Sequence, residues 1–335
     1  MLRTAECVSP MHPDKICDRI SDAILDACLE QDPDSRVAIE VMGGHGIITI
    51  TGELTTKAYV DMREIAQRIA GEEYGVQVNV VKQSPEIAAG VADGGAGDQG
   101  IMVGYACREN TAMIPQELHL ARSLCKYLYD IVPADGKTQV TVNEEGKIKT
   151  IVASWCGMEK SILESLIRDW LGMMFHRQET KDCKIFANPA GDWDIGGFDA
   201  DTGLTGRKIA VDNYGPSIPI GGGAFSGKDA SKVDRSAAYK ARQLAVELMF
   251  ENDNYAEVIV KLAYSIGIAK PVMATALAFL SDGEIWEEVD LPIEDSMTPH
   301  GIIESLDLEK PQFEKTAEWG HFGNDFKWDK NGKTN

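Results

Sequence analysis

A glycine-rich loop that runs directly into a predicted helix carries the densest set of residues able to do chemistry. The stretch Gly221–Ser236 contains a run of three glycines, the cations Lys228, Lys232 and Arg235, and the acid Asp234. Glycines let backbone N–H groups turn toward a ligand, and the start of a helix adds partial positive charge. Because full positive charges lie beside those groups, the stretch predicts a site that binds phosphate.

Two simpler interpretations of the same stretch must be weighed. Gly222–Lys228 has the G-x-x-x-x-G-K spacing of a P-loop, but the next residue is Asp229 rather than the Ser or Thr that would bind Mg²⁺, which disfavours a P-loop ATPase. Asp234 lies three residues after Ser231, the spacing of a capping box. Its carboxylate is therefore predicted to cap the helix, and a role at a metal or ligand site is compatible with that cap.

The overall charge makes these local cations informative. The 335 residues include 53 acidic and 33 basic ones, a formal net charge of −20, so neither nucleic acid nor an anionic membrane is an expected partner. The seven cysteines are dispersed and contain no C-x-x-C pair, which predicts reduced thiols. The N-terminus lacks a signal-peptide pattern, and no apolar run is long enough to span a bilayer. The sequence therefore predicts a cytoplasmic protein.

The positions of apolar residues predict an order of strands and helices that repeats along the chain. Strand, helix, strand, strand, helix, strand is predicted for residues 4–81, with Thr55 or Thr56 capping the second helix, and the order recurs in residues 101–187. A third round begins with a strand predicted at Lys208–Tyr214. The expected fold class is α+β, with three similar β-α-β-β-α-β units whose mixed sheets are related by a pseudo-threefold repeat.

The predicted unit boundaries lie in the connections between these rounds. We expect an N-terminal unit at residues 1–97, a central unit at 98–193 and a C-terminal unit at 194–335. The connection at Gly90–Gly100 is rich in glycine and poor in large apolar groups. That composition is typical of a mobile lid over a ligand and also of a surface linker. Composition alone slightly favours the linker.

Five separated motifs, in this order along the chain, resemble those of the S-adenosylmethionine synthetase family, also called methionine adenosyltransferases. They are His12–Lys15, Gly95–Gly100, Asp201–Lys208, Gly221–Ser236 and Gly320–Gly323. The resemblance spans nearly the whole chain, and it implies the fold of that family with its three similar units.

The resemblance also implies an activity and its requirements. It implies synthesis of S-adenosyl-L-methionine by attack of the methionine sulfur on C5′ of ATP, followed by hydrolysis of the expelled triphosphate to diphosphate and phosphate. It implies K⁺ and Mg²⁺, with two Mg²⁺ ions in each site. It further implies a homodimer, often paired into a homotetramer, whose active sites are shared between subunits.

The resemblance carries residue roles over by position, with His12 beside the oxygen that leaves C5′. The expected catalytic residues are His12, Lys137, Arg207, Lys208 and Lys228. The expected ATP-binding residues are His12, Asp98, Asp135, Lys137, Asp192, Trp193, Asp201, Arg207, Lys208, Ala224 and Lys228. The expected methionine-binding residues are Glu53, Gln83, Asp201 and Lys232. The expected metal ligands are Asp14 and Asp234 for Mg²⁺ and Glu40 for K⁺.

Taken singly, these residues have simpler interpretations. His12 stands at a helix start, where it could be a cap, and Glu40 stands in a strand, where an acid on a solvated face is the more common case. The chain also departs from the family pattern. It has Ser9-Pro10-Met11 where the family usually reads Ser-Glu-Gly, and Trp193 where a phenylalanine is usual, an exchange that should preserve stacking. Shorter connections predict a compact variant.

The competing hypothesis from another class is a catalytically silent relative that binds nucleotide or product and acts as a regulator. In such a relative, mutation would be expected to have replaced some of the residues expected to be catalytic or to bind metal. That set is intact, with His12 and Asp14 in one motif and Arg207 and Lys208 in another. The sequence therefore favours an enzyme.

Overall fold

A computed structural model of the chain describes residues 1–82, 94–176, 178–281 and 286–332. Within these ranges the strands are β1 (Arg3–Val8), β2 (Arg36–Gly44), β3 (Ile47–Thr55), β4 (Gly75–Val81), β5 (Gly100–Cys107), β6 (Gly136–Val142), β7 (Ile148–Trp155), β8 (Lys184–Ala187), β9 (Gly203–Leu204), β10 (Tyr255–Tyr264), β11 (Met273–Leu280) and β12 (Trp286–Val289). The helices are α1 (Pro13–Gln31), α2 (Met62–Ala70), α3 (Gln116–Ile131), α4 (Lys160–Met174), α5 (Ile209–Asp212), α6 (Val233–Glu251), α7 (Pro299–Leu306) and α8 (Phe313–Trp319). No helix in the described ranges is both long and apolar enough to cross a membrane.

The strands form three four-stranded sheets that exchange strands between the repeated rounds. Their orders are β1-β6-β7-β8, β12-β11-β10-β5 and β4-β3-β2-β9. Each sheet thus takes three strands from one round and one strand from another. Two sheets are mixed, because β3 and β4 run parallel and so do β7 and β8, whereas the sheet that contains β10 is antiparallel. The α+β class is confirmed, and the strand exchange ties the rounds together.

Two local predictions are wrong, for identifiable reasons. The strand predicted at Lys208–Tyr214 is the short helix α5, because the buried Asp212 must reach Lys15 of α1, and their side chains meet at 2.7 Å. Helix α2 is capped by Asp61, whose Oδ1 accepts from two backbone N–H groups. Thr56 hydrogen-bonds Ser35 instead, at 2.7 Å.

Helix α1 is the element that contacts the loops carrying many of the predicted site residues. Pro13 occupies its first turn, as predicted, and its apolar side chains Ile16, Ile20 and Ile24 are buried in the main core. Its other side carries acids at four-residue spacing, Asp14, Asp18, Asp22 and Asp26, which we term the aspartate ladder. Side chains four residues apart lie on one helix face, so the ladder forms a single acidic stripe.

Candidate active site

The first group of predicted catalytic residues lies at the N-terminus of α1, and we term it the His12 half-site (His12, Asp14, Lys208). His12 caps the helix, and its Nδ1 accepts a hydrogen bond from the backbone N–H of Asp14 at 3.2 Å. Burial, with the nearby charges of Lys208 and Lys137, lowers the pKa of the imidazole to about 3. Since Nδ1 is an acceptor, Nε2 carries the proton and remains a donor.

Asp14 is held in place by a lysine and a loop. Its Oδ2 pairs with Lys208 Nζ at 2.6 Å, and its Oδ1 accepts from the backbone N–H of Leu204 at 2.9 Å. Burial raises the pKa of this carboxyl group, but the hydrogen bonds from Lys208 and Leu204 outweigh it, and the net pKa is lowered. Asp14 is therefore an ionised, nearly buried carboxylate. The more exposed Arg207 approaches it at 3.7 Å.

The second group lies in the glycine-rich loop and the first turn of α6, and we term it the Lys228 half-site (Lys228, Asp234). Lys228 Nζ contacts Asp234 Oδ2 at 2.7 Å, and the backbone N–H of Gly223 donates to Asp234 Oδ1 at 3.2 Å. The capping box is thus wrong, since α6 starts after Lys232 without a side-chain cap. A Cβ at Gly222 would lie 2.9 Å from Asp234 Oδ1, so the loop needs glycine to approach so closely.

Other predicted residues border these two groups. Lys137 approaches Glu6 at 3.7 Å and is about half exposed. Asp135 accepts from the backbone N–H of Gly197 at 2.9 Å, and burial raises the pKa of its carboxyl group. Ala224 packs beside Gly206, where an added Cβ would lie 2.5 Å from the alanine methyl.

The central connection reaches the Lys228 half-site. A Cβ at Gly100 would lie 3.8 Å from Asp234 Oδ1, so the end of the Gly95–Gly100 motif borders this group. Asp98 is exposed nearby in sequence. Ala96 is tied to the β10–β11 turn by hydrogen bonds with Ile268 and Gly267. Residues 90–93 of the predicted lid lie outside the described residues.

Some predicted ligand residues have structural partners. Asp192 accepts from the backbone N–H of Lys160 at 2.8 Å, so it holds the start of α4. Lys232 pairs with Asp229, a buried acid that also accepts from the backbone N–H of Val37 at 2.7 Å.

Others lie on loops. Asp201 is exposed and accepts from the backbone N–H of Thr202 at 2.7 Å. Trp193 is half-buried, and its carbonyl accepts from the backbone N–H of Gly157 at 2.9 Å.

Within the described ranges, neither Glu40 nor Glu53 forms a hydrogen bond or ion pair with either half-site, although Lys228 pairs with Ala38 of β2, two residues before Glu40. Both glutamates are exposed, and they lie on the outer face of the sheet β4-β3-β2-β9, where Glu40 is opposite Thr51 and Glu53 is opposite Ala38. Gln83 lies outside the described residues. No three Asp, Glu, His or Cys side chains within the described ranges converge as a ready metal site.

The buried residues that support both half-sites were not predicted from the sequence. Arg235, expected among the phosphate-binding cations, is fully buried and forms a two-bond ion pair with Asp22, at 2.6 and 2.8 Å. Asp18, the second acid of the aspartate ladder, accepts from the backbone N–H of Gly206 at 2.8 Å. The four-residue spacing of the aspartates was the available signal.

Comparison with protein families matches three domain models along the chain. They are described as the N-terminal, central and C-terminal domains of S-adenosylmethionine synthetase and match residues 1–85, 93–193 and 195–330. The chain is 42% identical over 378 aligned residues to the S-adenosylmethionine synthase of Treponema denticola, covering 99% of this chain and 96% of that protein. The corresponding enzyme of Helicobacter hepaticus is 41% identical over 376 residues, with the same coverage.

A solved structure agrees with these matches. The structure described as an unusual S-adenosylmethionine synthetase from Campylobacter jejuni has a TM-score of 0.85 and 30% identity, and it covers 98% of this chain and 97% of that chain. The alignment with the Treponema protein is longer than the 335 residues of this chain, so the relative has segments that this compact chain lacks. The predicted family is confirmed: the chain belongs to the S-adenosylmethionine synthetases and is an enzyme of the methionine adenosyltransferase class.

Proposed function

We propose that the chain makes S-adenosyl-L-methionine by attack of the methionine sulfur on C5′ of ATP and then hydrolyses the triphosphate to diphosphate and phosphate. The observation that carries this proposal is the pair of carboxylate–lysine contacts, Asp14 with Lys208 and Asp234 with Lys228. Lysines at glycine loops hold phosphate oxygens, and carboxylates can hold the metal that accompanies them. In a chain of net charge −20, such cations are best explained by a polyanionic ligand.

His12 is the residue we assign to the departing oxygen. A thioether sulfur is nucleophilic without a base, so the site must orient it and stabilise the charge that develops on the triphosphate. The Nδ1 of His12 is occupied by the N–H of Asp14, which leaves Nε2–H to donate to the 5′ oxygen. Such a donor acts more strongly on the transition state than on the ground state.

The remaining cations are assigned to the triphosphate. Lys208 and Lys228 are each fixed by an acid, whereas Arg207 and Lys137 are more exposed and can close onto a bound ligand. For ATP we also assign Asp98, Asp135, Asp192, Trp193, Asp201 and Ala224, and for methionine Glu53, Gln83, Asp201 and Lys232.

The acids fit Mg²⁺ that shares its ligands with phosphates. Mg²⁺ is usually bound by one or two carboxylates together with substrate oxygens and water, and Asp14 and Asp234 supply such carboxylates. Bound Mg²⁺ would neutralise charge on the triphosphate, and two ions per site would share this task over its three phosphate groups. We assign K⁺ to Glu40.

We further propose that each active site is shared between two chains of a homodimer, which can pair into a tetramer. Within the part of the chain that the structure describes, no hydrogen bond or ion pair joins the His12 half-site to the Lys228 half-site. The sheet face that carries Glu40 and Glu53 also exposes Met42, Ile47 and Val81. An apolar face with acids on it fits burial against a second copy, which would join complementary half-sites.

An assay with ATP, L-methionine, Mg²⁺ and K⁺ tests the function. We expect S-adenosylmethionine, measured by mass spectrometry, together with diphosphate and phosphate. Hydrolysis of ATP that does not depend on methionine would support a plain ATPase instead. Nucleotide binding without turnover would support the silent regulator.

A further inference from the structure

We propose that Asp22 and Arg235 are positioning residues that set the backbone of the phosphate-binding loop and thereby place Lys228 and Asp234. This inference rests on the proposed function for its kinetic consequence, but its structural part stands on the contacts alone. Neither side chain is among the residues assigned to ATP, methionine or metal.

The ion pair holds the loop from both sides. Asp22 Oδ1 accepts from the backbone N–H of Gly227 at 2.8 Å, and Arg235 Nη1 donates to the carbonyl of Lys228 at 3.1 Å. The carbonyl of Gly227 also accepts from the backbone N–H of Ile39 at 3.0 Å. Gly227 has φ of 80°, and a Cβ there would lie 1.9 Å from the Ile39 carbonyl oxygen. The loop is therefore wedged between α1 and β2 with no space to shift.

Arg235 has no N–H group left with which to bind a ligand. Its five N–H groups are all used, because Nε donates to Tyr239 and Nη2 donates to Thr316, each at 3.0 Å, in addition to the bonds to Asp22 and Lys228. A lysine could not reproduce this planar set of donors. Arg235 thus fixes a geometry and does not bind a ligand.

This network also gives the Gly320–Gly323 motif a role. Tyr239 OH lies 2.9 Å from His321 Nδ1, and burial lowers the pKa of His321 far below its ordinary value, so the ring is neutral. The Tyr239 hydroxyl thus accepts from Arg235 and forms a second hydrogen bond with His321. The C-terminal motif therefore holds Arg235 in place through Tyr239 and has no assigned contact with the ligand.

The aspartate ladder relates the two half-sites to each other. Asp14 and Asp18 bind the loop of the His12 half-site, and Asp22 binds the loop of the Lys228 half-site. Eight residues separate Asp14 from Asp22, which is about 12 Å along a helix at 1.5 Å per residue. One rigid helix thus sets the distance between the two half-sites of a chain.

A matched pair of variants tests the proposal. Asp22→Asn removes the charge of a buried acid paired with an arginine of α6. Asp329→Asn does the same at Arg242, another buried arginine of α6, which contacts Asp329 at 2.9 Å and otherwise donates to carbonyls remote from the half-sites. Asp329 also accepts from the backbone N–H of Gly323, and the side-chain oxygen that remains in this variant can still accept it. We expect Asp22→Asn to lower kcat by about 10²-fold with a smaller change in the KM for ATP. The control variant, although destabilised, should keep a near-normal kcat.

A second variant separates positioning from stability. Removing one partner of a buried ion pair is destabilising, whereas replacing both by apolar residues is often neutral. Asp22→Leu combined with Arg235→Met should therefore regain thermal stability and still have a low kcat, because the bonds to Gly227 and Lys228 stay lost. A double variant with normal stability and wild-type kcat would overturn the proposal.

Hydrogen exchange provides a readout that needs no activity. Peptides covering residues 221–232 should exchange faster in Asp22→Asn than in Asp329→Asn, without any ligand. If the wild-type protein makes no S-adenosylmethionine, the proposed function fails while the exchange result still decides the positioning role. If exchange at 221–232 is the same in both variants, the positioning role is wrong even in an active enzyme.

Discussion

The His12 half-site and the Lys228 half-site are built on the same local plan. Each places an aspartate in the first turn of a 19-residue helix, Asp14 in α1 and Asp234 in α6. Each aspartate contacts a lysine and accepts a backbone N–H from a loop. The residue that follows is a buried cation in both helices, Lys15 and Arg235, paired with another buried aspartate.

The difference between them lies at the residue before the helix. The His12 half-site has a neutral imidazole donor at that position, and the Lys228 half-site has Lys232. Asp14 is also more buried than Asp234, with 3% against 15% of the side chain exposed. The repeated architecture thus supplies two helix starts of similar build, and of these two only the His12 half-site has the imidazole that we propose acts at the 5′ oxygen.

The largest expected loss of kcat comes from replacing the aspartate that both half-sites share in the first turn of their helices. Asp14→Asn and Asp234→Asn should each lower kcat by orders of magnitude, because Mg²⁺ and the lysine lose their anionic partner. Circular dichroism should show an intact fold in both. Near-normal turnover in either variant would remove that acid from the metal assignment.

A smaller loss of kcat should come from replacing His12, the residue before the helix, at which the two half-sites differ. His12→Asn should lower kcat by about 10²–10³-fold, or roughly 2.7–4 kcal/mol, since one donor to the developing oxyanion is lost. Hydrolysis of added triphosphate involves no departure from C5′, so it should be less impaired. An equal loss in both reactions would show that His12 only caps α1.

The smallest effect concerns Asp26, the last acid of the aspartate ladder. It accepts three backbone N–H groups at the start of α8, and burial raises the pKa of its carboxyl group to about 6. A raised folded-state pKa means that the native protein holds the proton more tightly, so ionisation of Asp26 costs stability as the pH rises from about 4 to 6.

The Asn variant makes this cost visible. The unfolding free energy of wild type relative to Asp26→Asn should fall as the pH rises from about 4 to 6, by up to about 3 kcal/mol. Urea unfolding at several pH values measures it. If the unfolding free energy of wild type relative to Asp26→Asn rises with pH instead, the three N–H hydrogen bonds lower the pKa of Asp26 by more than burial raises it. The kcat of the variant should be little changed at every pH.

Local signals predicted the parts of the site that are close in sequence. The cap at His12, the helix after Pro13 and the glycine-rich loop all follow from neighbouring residues. The partners of Asp14 and Asp22 did not, since Leu204 and Gly227 lie 190 and 205 residues away in the chain. The role of Asp234 stayed open between a cap and a ligand site for a different reason: Lys228 is only six residues away in the chain, but it reaches Asp234 only once the loop folds back.

The exchange of strands between sheets could not be predicted from the sequence, because it also depends on contacts between residues far apart in the chain. A short strand such as β1, with apolar residues on one face, satisfies the same pattern in its own round or beside β6, and only the packing of whole sheets decides between them. The strand predicted at Lys208–Tyr214 was wrong because the β propensity of this segment was outweighed by the buried contact that Asp212, which lies in the short helix α5, makes with Lys15.

In the arrangement that we propose, one active site combines the His12 half-site of one chain with the Lys228 half-site of another. Two differently tagged inactive chains, Asp14→Asn and Lys228→Ala, can be co-expressed and the heterodimer isolated through both tags. One of its two sites then carries both defects and the other carries none, so we predict about half of wild-type activity per dimer.

The matched control is the heterodimer of Asp14→Asn and Lys208→Ala, whose changes lie in the same half-site. Each of its sites carries one defect, so this heterodimer should stay inactive. Activity in the first heterodimer alone is the predicted result. Inactivity of both heterodimers, or equal recovery in both, would contradict a site shared in this way.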